Sequence, residues 1–204
     1  LGYAQVESVN IVGYQTVPLA ENGFTATCAT LAPIGMTDGT MTLGDIRANE
    51  NFAMFEDSIQ IFNAAGALVV EATYVSQEIL DAEGLSDLYD AGWYALADTD
   101  MENGPIYNSY VLPFGGSMTV FSGYAGAGLL YVGEVVQSDV EIPLTEGGFT
   151  AVGNASPVDL TLGDIKANEN FAMFEDSIQI FNAAGSLVVE ATYVSQEILD
   201  AEGL

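Results

Sequence analysis

The chain has 204 residues and a mass of 21.5 kDa; half of it is hydrophobic and a tenth aromatic, ample for a packed core and unlike a disordered composition. Its 29 Asp and Glu face two cations and no His, a net charge of −27. That balance excludes a basic phosphate-binding surface, makes nucleic acid and anionic headgroups poor partners, and leaves no Ser-His or Cys-His couple and no HExxH zinc site.

In chain order, the first residues, LGYAQVESVN, lack the basic start and apolar stretch of a secretory leader. The small residues of GYAQ suit a cleavage site nearby, and a leader already removed is expected. QVESVNIVGYQTV and FTATCATLA are the first predicted strands, and the lone Cys28 in the second is expected as a small buried hydrophobe without a disulfide. LGDIRANENFAMF carries helical spacing of apolar residues among strand-like neighbours and is ambiguous, a short-helix candidate. SIQIFN and ALVVEATYV flank NAAG and predict a hairpin. SQEILDAEGLSDL is a second short-helix candidate, followed by the strands WYALAD, SMTVFSG and GLLYVGEV. GYAGAG is turn glycine rather than a phosphate loop, because no Lys-Ser/Thr follows. No apolar run approaches the roughly 20 residues that span a bilayer, so no membrane insertion is expected. Strands about every ten residues predict an all-β fold, with one or two short helices per unit, built as tandem β-sandwich or Greek-key-like units.

The dominant feature is a repeat. Residues 42–85 and 161–204 differ only at Arg47/Lys166 and Ala67/Ser186. Upstream, TVPLAENGFTA (16–26) matches EIPLTEGGFTA (141–151), and IVGYQTV (11–17) is aligned with YVGEVVQ (131–137). The offset of 119 residues suits a domain rather than a solenoid unit. The division expected is a first β-domain over 1–133 and a homologous second one over 134–204, which lacks the strands that follow the block in the first.

Candidate chemistry is sparse. Asp98, Asp100, Glu102 and Asn103, followed by Gly104, alternate oxygen ligands as calcium loops do, although Ser109 stands where an EF-hand places its closing Glu. Asn49, Glu50, Asn51, Glu56 and Asp57 form another oxygen-rich cluster, repeated at Asn168, Glu169, Asn170, Glu175 and Asp176. Bound calcium and plainly solvated carboxylates both account for these acids; no cofactor is required. Arg47 and Lys166 hold one repeat position, with Asp45 and Asp164 as local counter-ions or with no partner at all.

The order VESVNIVGYQTVPL, a GF-strand, DSIQIFN, GWY, and an FGG-strand ending in GLLYVGEV resembles a group of largely uncharacterised secreted repeat proteins of Planctomycetes- and Verrucomicrobia-type bacteria. The resemblance implies an exported, extracellular or cell-surface β-rich protein and brings no active site. The expected function is a structural subunit of an extracellular filament or surface assembly. Copies would join head-to-tail through β-strand complementation of the second unit, with Arg47, Lys166, Ile178, Ile180, Phe181, Val188, Val189 and Tyr193 at the interface. The alternative is a secreted adhesion or carbohydrate-binding module, calcium-stabilised, with Trp93, Tyr94, Tyr107 and Tyr110 as stacking residues; for these the competing role is core packing. No enzyme activity is expected.

Overall fold

The computed structural model describes residues 12–34, 40–63, 65–113, 116–136, 140–154, 159–167, 170–172, 175–181, 186–196 and 199–200. The chain divides into two compact units, Leu1–Pro157 and Val158–Leu204. Among the described residues no helix is long and apolar enough to cross a membrane.

The first unit contains strands β1 (Val12–Pro18), β2 (Gly23–Cys28), β3 (Thr40–Thr42), β4 (Ile46–Ala48), β5 (Ser58–Phe62) and β6 (Leu68–Val75). Helix α1 (Gln77–Ala82) follows, then β7 (Gly92–Ala95), β8 (Val111–Pro113), β9 (Ser117–Ser122) and β10 (Gly128–Glu134). All pairings are antiparallel and form a five-stranded sheet β2-β9-β5-β6-β7, a three-stranded sheet β1-β10-β4 and the ribbon β3-β8. Ile59, Ile61, Val70, Ala72, Met118 and Val120 of the larger sheet share one buried cluster with Ile46, Ala48, Leu129 and Tyr131 of the smaller. The unit is therefore all-β, with two sheets closing on a common core. β9 and β10 lie in different sheets, as do β1 and β2, so the chain crosses between layers at both places.

Local chemistry accounts for the elements. The β5–β6 hairpin is closed by Asn63, whose side-chain oxygen accepts from the amides of Ala65 and Ala67 at 3.0 Å each, while Gly66 takes a φ of 76° that suits glycine. Helix α1 starts at Ser76, whose hydroxyl accepts from the Ile79 amide, and stops at Gly84 with φ 69° and the Leu85 amide bonded to the Leu80 carbonyl. The other helix candidate is absent: LGDIRANENFAMF forms a 3-10 turn at Leu43–Asp45, then β4 and further turns. Asp45 accepts from both the amide and the hydroxyl of Thr42, and β4 alternates buried, exposed, buried. The backbone of Ile46–Ala48 pairs with β10 instead, and the Ala53 amide is bound by the Asp57 carboxylate, which removes the gain a helix would offer.

One sequence correspondence takes a different meaning. The segment YVGE, aligned with IVGY as the start of a second unit, lies in β10, and Gly13 and Gly133 are antiparallel partners across β1 and β10. A Cβ on Gly133 would stand 2.0 Å from the Ala32 carbonyl oxygen, which explains a glycine there without any repeat relation. Residues beyond β10 also stay with the first unit: the Ser117 amide bonds the Ala151 carbonyl, and Cys28 Sγ contacts the Asn154 carbonyl at 3.2 Å.

The second unit contains a 3-10 turn at Leu162–Asp164 and a two-stranded sheet of β11 (Ile178–Phe181) and β12 (Leu187–Ala191). Its register, Ile178↔Ala191 to Phe181↔Leu187 with a shift after Ile180, repeats that of β5 and β6, Ile59↔Ala72 to Phe62↔Leu68.

Candidate assembly surface of the second unit

The two copies of the block give a comparison within one molecule. Locally they agree. Thr161 engages Asp164 as Thr42 engages Asp45, Ala172 donates to Asp176 as Ala53 does to Asp57, and Gln179 donates to Glu190 at the 3.0 Å seen for Gln60 and Glu71. The hydroxyl and amide of Thr161 hold the Asp164 carboxyl below its ordinary range. Local geometry therefore follows local sequence.

Tertiary surroundings differ. In the first unit β5 lies between β6 and β9, with Ser58, Ile59 and Gln60 opposite Phe121, Val120 and Thr119. β6 is bordered by β7, with Ala72 to Val75 opposite Ala95 to Gly92. In the second unit, among the described residues, neither β11 nor β12 has an outer neighbour. Leu43 and Ile46 are fully buried, whereas Leu162 and Ile165 are 38% and 41% exposed; Ile61 is 6% exposed and Ile180 38%. Ile178 and Val189 are half-buried where Ile59 and Val70 are sealed. Covering this face fully would contribute on the order of a few kcal/mol, at about 1.5–3 kcal/mol per fully buried aliphatic side chain.

The expected interface residues separate into two groups. Ile178, Ile180 and Val189 stand on the face that the first unit buries. Phe181 and Val188 do not: their counterparts Phe62 and Val69 remain 49% and 43% exposed even with β7 and β9 in place. Strand addition that follows the geometry of the first unit leaves those two uncovered. Tyr193 is half-buried, like its counterpart Tyr74, whose ring packs on Trp93 at 5.0 Å.

A polar clasp accompanies the strand pairing. Asp57 is fully buried, and its carboxylate accepts from the Ala53 amide (2.9 Å), the Ser122 hydroxyl (3.0 Å) and the Gly123 amide (2.7 Å). Asn49 donates to the Gly126 carbonyl and accepts from the Gly128 amide, and Asn51 donates to Gly126 as well. The oxygen-rich cluster thus grips the turn between β9 and β10. Asp176 is exposed and, among the described residues, keeps the Ala172 bond alone of the three that hold Asp57.

The remaining candidates are placed as follows. Asp98 is buried and accepts from the Asn103 amide at 3.1 Å, whereas Asp100, Glu102 and Asn103 are exposed. Among the described residues no three acidic, Cys or His side chains gather into a metal-sized group. Arg47 and Lys166 are both exposed, and the carboxylates of Asp45 and Asp164 are engaged by Thr42 and Thr161. Trp93 is fully buried, its indole donating to the Ile46 carbonyl at 2.8 Å, and the Tyr94 hydroxyl donates to the Asp90 carbonyl. Neither ring is open for stacking on a sugar. Tyr107 and Tyr110 are half-buried, meet edge-on at 6.4 Å and pack against the core. Cys28 is buried, and burial pushes its thiol up to about 11. An open cleft lined by Glu21, Glu50, Asn51, Gly123 and Tyr124 holds no nucleophile–base pair.

No family model, curated protein or solved structure matches the chain.

Proposed function

We propose that the protein is a structural subunit of an extracellular filament or surface assembly, and that its second unit is the receiving end of a head-to-tail contact between copies. The observation behind this reading is the difference between two nearly identical blocks: Leu43, Ile46 and Ile61 are sealed in the first, while Leu162, Ile165 and Ile180 are open in the second. A hairpin whose edges have no outer neighbour among the described residues, and whose apolar face is partly uncovered, is a template for strand addition. A heterologous contact of this kind propagates unless its rotation closes a ring.

The experiment is light scattering of the purified chain across a concentration series, with electron microscopy of the same samples. Growth in mass with concentration, ending in filaments or sheets, is expected. A particle that stays monomeric at all concentrations overturns the reading.

A further inference from the structure

We infer that the segment received by the second block is residues 86–134 of a second copy, seated as the same segment is seated on the first block. The inference rests on the reading of the second unit as a receiving end and names its partner.

The first unit shows the contact in full. Residues 42–85 meet 86–134 through β5 with β9, β6 with β7, β4 with β10, the Asp57 clasp on Ser122 and Gly123, the Asn49 grip on Gly126 and Gly128, and the Trp93 indole on the Ile46 carbonyl. Every block residue in that set has an identical counterpart in 161–204 except Arg47. Arg47 faces Leu130 through the strand backbone with its own side chain exposed, and Lys166 meets the same geometric demand. The other difference, Ala67/Ser186, sits at the exposed hairpin tip, away from both strand edges. Nothing in these contacts distinguishes one block from the other.

These 204 residues hold two blocks and one such closing segment. Seating the second block on a neighbour's strands therefore frees that neighbour's first block. The contact is an exchange of the pairings made by β4, β5 and β6, the route to association known as domain swapping; β1, β2 and β3, which pair with β10, β9 and β8, must move with the segment. It favours a second copy over the same chain because Ala151 and Asn154 are tied to Ser117 and Cys28. Exchange must open a folded first unit, so it is slow in native buffer and accelerated by mild denaturant.

The test uses the full chain with Cys28→Ala, carrying Thr119→Cys together with either Gln60→Cys or Gln179→Cys. Gln60 and Thr119 are antiparallel partners with half-buried side chains, and Gln179 is the repeat counterpart of Gln60. Directly opposed strand residues lie about 4.5–5.5 Å apart at Cα, within disulfide range. After incubation in mild urea, dilution and oxidation, the 60/119 pair is expected to give a crosslinked monomer. The 119/179 pair is expected to give a ladder of linked chains extending beyond dimer, which single-cysteine variants cannot form, with a 119–179 peptide in the mass spectrum. A 119–179 bond confined to monomers overturns the second-copy assignment. Oligomers by light scattering without that peptide overturn the named segment and leave the receiving-end reading intact. Monomers without it overturn both.

Discussion

Replacing Asp57 by Ala, and separately Asp176 by Ala, sets one substitution in two surroundings. Asp57 is fully buried and accepts from two backbone amides and the Ser122 hydroxyl. In Asp57→Ala the Ser122 hydroxyl keeps the Tyr124 carbonyl as acceptor at 3.2 Å, whereas the Ala53 and Gly123 amides lose theirs. Both residues are half-buried, so at about 1–2 kcal/mol per amide left without a partner, the lower part of the range for buried groups, the expected loss is roughly 2–4 kcal/mol. For a domain of this size that lowers Tm by roughly 5–15 °C. Asp176 is exposed and bonded to the Ala172 amide, which water replaces, so its substitution is expected to cost about 0.5 kcal/mol or less. Both variants relieve the same unit of negative charge, so their difference isolates the clasp. The assay is urea unfolding followed by far-UV circular dichroism and by the emission of Trp93, the chain's single tryptophan, which is buried in the first unit. Equal losses in the two variants, or an Asp57→Ala loss under about 0.5 kcal/mol, would refute the clasp as a tertiary tie.

Other substitutions and conditions probe different parts of the molecule. Gly133→Ala places a Cβ 2.0 Å from the Ala32 carbonyl oxygen, and the backbone must move; a loss of about 3 kcal/mol or more in the same unfolding assay is expected, against a near-neutral Gly104→Asn at a half-buried turn position with φ 68°, where an added Cβ meets nothing within 4 Å. Burial raises the Cys28 thiol from 9.0 to about 11, so at pH 8 the folded chain holds about a hundredfold less thiolate, and alkylation is expected to wait for unfolding; rapid labelling of native protein would contradict this. The unfolded thiol ionises first, so the same burial contributes stability below pH 9.0 that is lost as pH rises toward about 11. Calcium chelation is expected to leave Tm unchanged, because among the described residues no three acidic side chains gather into a metal-sized group; a fall of several degrees would support the acidic loop as a metal site.

Local structure is legible in the sequence. NAAG specifies its hairpin, because Asn63 and Gly66 meet the turn's demands with no outside partner. The α1 segment is legible through its Ser76 cap and Gly84 stop. LGDIRANENFAMF misleads because apolar spacing alone cannot weigh Asp57, which binds the Ala53 amide that a helix would have used, or the edge of β10, which takes Ile46–Ala48 as a strand. YVGE misleads because glycines paired across two strands look like a repeat when only the order of letters is compared. The interface residues are half legible. Pattern gives the apolar character of Phe181 and Val188, but only the seated first block shows that this side of the strands stays open after pairing.

Charge sets the terms on which copies can meet. Each chain carries −27, and moving a closing segment from one block to a nearly identical one brings little surplus of buried area to offset repulsion between two such chains. Association then depends on concentration and on screening. The Debye length falls from about 30 Å at 0.01 M salt to about 8 Å at 0.15 M, shorter than the span of either unit. Oligomers are therefore expected to be scarce at low ionic strength and to grow with NaCl, as read by light scattering at fixed protein concentration. Attraction between opposite charges would give the reverse trend. Because Arg47 and Lys166 are the only cations, ion pairing between copies has few groups to work with, and an assembly that weakened as salt rose would have to be held by something other than the repeated block.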